Sequence, residues 1–265
     1  MKIAASMYPD NVFAGACGRV AYRCGLPDAS LGQSYAVPVD KITAMENRLP
    51  ADWFDSVRVI SLRRRADRWG RFLDSIRACD WLFKWPKQFA AIDGKVCRPP
   101  RTWRQSPGAW GCYRSHIRLL EDALADGDQS LLVMEDDAEP VPDFGAAVRS
   151  WQTGLPDNWQ GLWFGGEHAN SGKPADVVTD TTRRCRYVTR THCFGIREPF
   201  LTQFYRFLTD SETMRLNTTQ HIDHAIARFM SHGQHALYCP NSWLVAQAAA
   251  RSDIFGTNEP RRMFE

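Results

Sequence analysis

The amino-acid sequence predicts an α/β protein built on a mainly parallel sheet with flanking helices, and three observations lead there. Short apolar runs alternate with stretches whose apolar residues recur at three- and four-residue spacing. The runs are apolar and β-branched, as strands covered on both faces require. Three of the runs stop abruptly at polar or charged residues, which in such sheets collect in the ligand crevice at the carboxyl ends of strands.

The elements follow in order. Residues 1–55 carry weak periodicity and many turn-formers, such as Pro9-Asp10-Asn11, Gly25-Leu26-Pro27-Asp28 and Leu49-Pro50-Ala51-Asp52. They are expected to form a loop-rich extension or small cap, and residues 56–265 the main domain. Val57-Arg58-Val59-Ile60-Ser61-Leu62 reads as a buried strand. It runs into an arginine-rich turn and a helix with Trp69, Phe72, Leu73 and Ile76 on one face. Phe89 to Gly94 is a short strand. Ser106-Pro107 reads as an N-cap and first helical position, and Gly127 sits where a left-handed terminal cap belongs. Between them Ala109, Cys112, Tyr113, Ile117, Leu120 and Leu124 keep helical spacing. Leu131-Leu132-Val133-Met134 is a second buried strand, ending at Glu135-Asp136-Asp137. Gly161-Leu162-Trp163-Phe164 is a third, ending at Gly165-Gly166-Glu167-His168. Cys193-Phe194-Gly195-Ile196 leads to a helix opened by Pro199. A last helix is expected from about Thr219, with Ile222, Ile226, Phe229 and Met230 on one face and Gly233 as its stop.

Composition narrows the class of function. A chain of 265 residues can bury a sizeable core, and 44% hydrophobic with 24% charged residues excludes wholesale disorder and fibrous repeats. The net charge of +3 is too near neutral to name nucleic acid or membrane as a partner, although Arg58, Arg63, Arg64, Arg65, Arg68 and Arg71 cluster. Ten Trp and fourteen Phe could serve stacking on sugars or bases as well as the core. The eight cysteines include no C-x-x-C pair, which argues against structural zinc, and they are expected to be reduced thiols. No apolar run reaches signal-peptide or membrane-spanning length. The chain is therefore expected to be cytoplasmic, with peripheral association at a membrane surface left open.

The residues that could carry chemistry lie at the strand ends. Glu135, Asp136 and Asp137 repel one another unless a cation neutralises them, and hard ions such as Mg²⁺ or Mn²⁺ take oxygen ligands and share them with substrate phosphates. A solvated acidic turn with a capping aspartate is the plainer alternative. Arg63, Arg64, Arg65 and Arg68 suit phosphate oxygens in bidentate geometry, or form a solvated basic face. A cation-seeking turn and an anion-seeking turn at one sheet edge together suit a nucleoside diphosphate. His116, beside Ser115 in the middle helix, is either packing or catalytic. Asp223, between His221 and His224, is either a general base or a charge that favours a helix start.

These residues fall in an ordered series that resembles glycosyltransferase family 25. That group contains bacterial lipooligosaccharide galactosyltransferases and collagen-modifying galactosyltransferases. Val59-Ile60-Ser61-Leu62-Arg63-Arg64-Arg65-Ala66-Asp67-Arg68 is similar to the family's "INLDRRPDR", and Phe89-Ala90-Ala91-Ile92-Asp93-Gly94 to its "F-x-A-x-D-G". Gly108 to His116 resembles "GEIGCALSH", and Leu132 to Asp137 resembles "LILEDD", with Pro142-Asp143-Phe144 after it. His221-Ile222-Asp223-His224 is similar to "PVD", followed by Tyr238-Cys239-Pro240, Gln247 and Ser252-Asp253-Ile254. The likeness spans roughly residues 57–254. Ala109 stands in place of the glutamate that would complete a capping box, Ser61 where asparagine is usual, and Ala66 where proline is.

The resemblance implies a GT-A-like fold, a nucleotide-sugar donor (a UDP-sugar first among them) bound at the carboxyl ends of the strands, a divalent metal, and inversion at the anomeric carbon. It implies Glu135, Asp136 and Asp137 as the metal motif. Arg63, Arg65 and Arg68, with Asp136, Ser115 and His116, become donor-binding candidates. Direct displacement needs a base near the acceptor hydroxyl: Asp223 is the first candidate, Glu167 and His168 the second. The expected function is metal-dependent transfer of a hexose such as galactose, with a lipopolysaccharide sugar or other glycan as acceptor. A protein side chain or modified nucleic-acid base remains an alternative, the latter because Arg98, Arg101 and Arg104 interleave with Trp103 and Trp110. Two rivals lie outside that class: an inactive sugar- or nucleotide-binding protein, and a nuclease or phosphatase using the same acids.

Overall fold

The apolar runs read from the sequence fall in strands, although the run Phe89 to Gly94 is strand only through Ala90, and the amphipathic stretches form helices. The computed structural model describes residues 49–169, 176–210, 220–232 and 234–263. Expectations for residues 1–48, for a helix start at Thr219 and for Gly233 lie outside the described residues. In chain order, β1 (Ser56–Ser61) leads to α1 (Ala66–Ala78), β2 (Lys87–Ala90), α2 (Pro107–Ala125) and β3 (Ser130–Glu135). β4 (Ala138–Pro140), α3 (Phe144–Gln152), β5 (Gly161–His168), β6 (Asp176–Val177), β7 (Thr182–Arg184) and β8 (Val188–Arg197) follow. Then come α4 (Phe200–Thr209), α5 (Ile222–His232), β9 (Leu237–Pro240), β10 (Val245–Gln247), β11 (Ala250–Arg251) and β12 (Asn258–Glu259).

The main sheet has eight strands in the order β2-β1-β3-β8-β5-β9-β7-β6. β1 pairs in parallel with β2 and β3, and β5 with β9. β8 runs against both β3 and β5, and β7 against both β9 and β6. The sheet is thus mixed: β8 and β7 oppose the other six strands, which share one direction. As a result the carboxyl ends of β1, β2, β3 and β5 and the amino end of β8 meet along a single edge.

Both faces of the sheet's centre are covered, which explains the apolar runs of β3 and β5, while the edge strands β2 and β6 are largely exposed. Along β3, Leu131 and Val133 enter one core while Leu132 and Met134 enter the other. The first core contains Trp110, Tyr113, Ile117 and Leu120 of α2, Phe200 and Phe204 of α4, and Ile226 of α5. The second contains Phe72 and Ile76 of α1 and Phe144, Val148 and Trp151 of α3. Trp53 and Phe54, among the last residues of the expected extension, are buried in this second core. Six described cysteines are free thiols, and no described helix is long and apolar enough to cross a membrane.

The middle helix starts and stops where the sequence indicates. The Ser106 hydroxyl accepts from the Ala109 backbone N–H at 3.1 Å, with Pro107 at the first position. The brace a capping-box glutamate would supply comes from elsewhere: the same hydroxyl donates to the Ile254 carbonyl at 3.0 Å. Gly127 has φ +79°, the left-handed cap expected. Trp103 and Trp110 depart from the stacking expectation. They are 8% and 5% exposed and pack on each other and on Tyr113, so their faces are engaged in the core and offer no platform for a base.

Gly195 in β8 shows how closely Phe54 is packed, since a Cβ there would lie 2.3 Å from the Phe54 ring. Gly195→Ala should therefore destabilise the protein by about 1–3 kcal/mol through overpacking. The loss should shrink when Phe54 is first truncated to Ala. Urea denaturation of the two single variants and the double variant checks this, and strictly additive losses would contradict it.

Candidate functional site

A cavity of about 510 Å³ opens at the edge where the strand ends meet. β3 brings Glu135 to it at its last position, and the turn before β4 brings Asp136 and Asp137. The turn after β1 and the start of α1 bring Arg64 and Arg68, β5 brings Glu167, and β8 brings Thr189, Arg190, Thr191 and His192. The first turn of α5 adds Asp223, flanked by His221 and His224. β5 reaches the site through two register shifts, near Gly165. A Cβ at Gly165 would fall 2.3 Å from His192 Nε2 and 2.4 Å from the Val245 carbonyl, so glycine is required for this close approach.

Arg68 is the counter-ion of the acidic turn. Its Nη2 lies 2.6 Å from Asp136 Oδ1 and 2.8 Å from Asp137 Oδ2, and all three side chains are at most 10% exposed. Burial opposes the guanidinium's charge, but Asp137, Asp136 and Glu135 together raise its pKa. Burial pushes Asp136 up to about 6, with Arg68 opposing and Asp137 adding to the rise. Asp137 is held further by Gln247 Nε2, which donates to Oδ2 at 3.1 Å, and by its own carbonyl, which accepts from Ala248 N–H at 2.7 Å. Its second oxygen, Oδ1, is buried and makes no hydrogen bond.

Glu135 sits apart from this pair. It accepts from the Thr191 hydroxyl, and its Oε1 lies 3.8 Å from His116 Nε2. Burial first, then the neighbouring Asp137, push its pKa to about 8. His116, 1% exposed, is lowered to about 4 by burial, and Cys112 one turn earlier on α2 is raised, again chiefly by burial.

The opposite wall joins the two candidate carboxylate bases through Arg190. Its backbone N–H donates to Asp223 Oδ2 at 3.3 Å and its Nε to Glu167 Oε2 at 3.2 Å. Arg190 has φ 70°, the left-handed region that a non-glycine residue occupies at some energetic cost and that concentrates at functional sites. Asp223 also accepts from the His224 N–H at 2.8 Å, so it braces the helix start as well as facing the cavity.

The rim is an ion-pair network tied to the carboxyl-terminal segment. Arg64 pairs with Asp93 at 2.5 Å and Asp253 at 2.8 Å, and Arg65 pairs with Asp67 at 2.9 Å and Asp253 at 2.7 Å. Burial raises the Asp253 pKa but Arg64 and Arg65 outweigh it, and the net shift is downward.

The sequence-derived candidates therefore divide. Glu135, Asp136, Asp137, Arg68, Glu167 and Asp223 converge on the cavity. Arg63 is exposed and does not line it, and Arg65 is turned to Asp67 and Asp253, whereas Arg64 takes the lining position. His168 faces away: it stacks on Trp243 with centroids 4.8 Å apart, and its Nε2 lies 3.7 Å from Cys239 Sγ. It belongs to β5 itself, where alternate side chains point to opposite faces, so Glu167 reaches the cavity and its neighbour does not. Ser115 also lines the cavity, but its hydroxyl is engaged, accepting from Ile92 N–H at 2.8 Å and donating to the Gly111 carbonyl at 2.7 Å, so it tethers α2 to the segment after β2. The sequence offers Arg64 only as one of an arginine cluster and Asp253 only within a motif, and no local pattern marks Arg190 or Thr191.

No protein-family model matches the chain, and no curated protein matches it. Among solved structures the chain is similar to a glycosyltransferase involved in the glycosylation of the major capsid of PBCV-1. That similarity has 10% identity over 69% of this chain and 80% of that one, with a TM-score of 0.38. It is also similar to A197 from STIV, at 12% identity over 79% of this chain and 98% of that one, with a TM-score of 0.37. At this distance the functional reading rests on the site's own residues.

Glu135 makes the metal-free stability pH-dependent. In the native state it keeps a proton that the unfolded chain releases above its ordinary value of 4.5. Its contribution to stability should fall as pH rises from about 4.5 through about 8, against the opposite contribution of the depressed His116 between about 4 and 6.5, and Glu135→Gln should remove that falling component. Chemical denaturation across this range in the presence of a chelator checks it; an unchanged slope in Glu135→Gln would assign the dependence elsewhere.

Proposed function

We propose that the chain is a metal-dependent, inverting glycosyltransferase of the family 25 type. It would move a hexose such as galactose from a nucleotide diphosphate sugar, foremost a UDP-sugar, to the hydroxyl of a lipopolysaccharide sugar or other glycan. The observation that carries the reading is the cavity itself, where a recessed carboxylate trio with Arg64 and Arg68 faces Asp223 and Glu167. The ordered sequence motifs support it, since they supply most of these residues. A phosphatase or nuclease would use the acids alone and leaves the opposite wall unexplained.

The donor set suits a hard divalent ion, Mn²⁺ or Mg²⁺. Arg68 bridges Asp136 and Asp137, Glu135 lines the same cavity beside them, and Asp137 Oδ1 is buried without a hydrogen-bond partner. Asp137 and Glu135, with Asp136, would hold such an ion, which when bound supplies Lewis-acid stabilisation of the departing diphosphate. Arg68 and Arg64 add fixed positive charge on the same side. Asp223 acts as the base, taking the proton of the acceptor hydroxyl as that oxygen attacks the anomeric carbon. Arg190 orients Asp223 through its N–H and Glu167 through its guanidinium.

Thermal denaturation against a panel of nucleotide-sugars, with and without Mn²⁺, tests the reading, because a true donor binds the folded state selectively. One nucleotide diphosphate sugar should raise the melting temperature only with the metal, and Asp137→Ala should abolish that rise. Asp223→Asn should keep the rise but lower kcat by roughly 10²–10⁴-fold. Absence of metal-dependent stabilisation by any such sugar would refute the proposal.

Arg190→Gly should keep the N–H bond to Asp223 and relieve the left-handed backbone while removing the guanidinium. Its stability should hold or rise by a few tenths to about 1 kcal/mol while kcat falls. A variant that loses stability without losing kcat would count against the orienting role.

A further inference from the structure

We infer that Cys112, His116 and Glu135 form a second, softer metal site, set just behind the wall of the cavity that Cys112 and Glu135 line, one that takes Zn²⁺ or Co²⁺ in preference to Mg²⁺. Cys112 and His116 are four residues apart on α2 and so share one helix face. Glu135 reaches that face because it continues the side of β3 on which Leu131 and Val133 meet α2. One ligand atom from each residue (a sulfur, a nitrogen and an oxygen) lies within 4.8 Å of the other two.

The imidazole supplies the second, independent observation. His116 is 1% exposed, and its Nδ1 lies 3.0 Å from the Cys112 carbonyl, to which it donates. That bond leaves Nε2 as the lone-pair nitrogen, 3.8 Å from Glu135 Oε1 and without a hydrogen bond. Phe194 stacks on the ring with an interplanar angle of 9°, which fixes its direction. The Nδ1–H is tied to a backbone carbonyl, with Cys112 Sγ 3.9 Å from that same nitrogen, while Nε2 faces the Glu135 carboxylate; a tethered N–H with the other nitrogen free is the second-shell arrangement of a metal-ligating histidine.

The ligand chemistry selects the metal. Thiolate and imidazole favour Zn²⁺ and Co²⁺ over Mg²⁺, and tetrahedral bonds place ligand atoms roughly 3.4–3.6 Å apart, so ligation needs the three atoms to draw together from separations of at most 4.8 Å. Three protein ligands would leave a fourth position open toward the cavity. On binding, the Cys112 thiol and the Glu135 carboxyl each give a proton to solvent, and the sulfur and a carboxylate oxygen enter the coordination shell. The site goes beyond the glycosyltransferase reading and does not depend on it. Because Glu135 is shared, Zn²⁺ here would draw that carboxylate away from Asp137.

Titration of the full-length, metal-free protein with Co²⁺ alone, followed by absorption, is the test. A cysteinate-to-cobalt charge-transfer band should appear in the near ultraviolet and disappear when Zn²⁺ is added. Cys112→Ser and Cys112→Ala should lack the band while retaining the wild-type circular dichroism. His116→Gln should weaken Co²⁺ binding by at least about 10- to 100-fold. Asp137→Asn should keep the band while losing metal-dependent stabilisation by a nucleotide-sugar, so failure of this site and failure of the donor reading separate. X-ray absorption of the Zn²⁺-loaded wild type should find one sulfur scatterer. No band, a band that survives Cys112→Ser, or an all-oxygen shell would overturn the inference.

Discussion

One guanidinium holds the candidate site together. Burying carboxylates costs several kcal/mol each unless a counter-charge compensates, and Arg68 compensates two at once. This requirement fixes where α1 begins, because Arg68 must stand in its first turn with the turn after β1 short enough to bring it over β3. It also fixes the carboxyl-terminal segment, which supplies Gln247 and Ala248 to Asp137 and Asp253 to the neighbouring arginines. Helix, strand end and late segment therefore converge on the same charges.

The acidic trio is less uniform than its sequence suggests. Strand periodicity sends Glu135 toward α2, where it meets Thr191, His116 and Cys112, while the turn sends Asp136 and Asp137 toward α1 and Arg68. Three consecutive carboxylates thereby occupy two environments, one lined by hard oxygen donors and an arginine, the other by sulfur and an imidazole. The reversed strand β8 is what completes the second environment, since its early residues pass beside the end of β3.

Much of this was legible in the sequence where the pattern is local. Ser106 and Gly127 mark the ends of α2, and the abrupt stop after Met134 marks the edge of the sheet. Where local pattern ends, legibility ends too. The opposed direction of β8 leaves no trace in its apolar run. In the turn Arg63-Arg64-Arg65 no periodicity says which side chain faces the cavity, and Arg64 rather than its neighbours lines it. Trp103 and Trp110 look like a stacking platform until the core claims them. The left-handed backbone of Arg190 carries no residue signal, because glycine, the usual marker, is absent there.

The link between Arg64 and Asp253 joins residues 189 positions apart, and Ser106 reaches Ile254 across 148. Ribosomal synthesis proceeds from the amino terminus, so the acidic turn and its arginines emerge long before their last partners. A nascent chain can lay down β1, β2 and β3 early, but its rim stays open until translation passes Asp253. The enclosure is thus among the last features to form in the life of each molecule. A ribosome stalled before that point would present a sheet with its charged edge still bare.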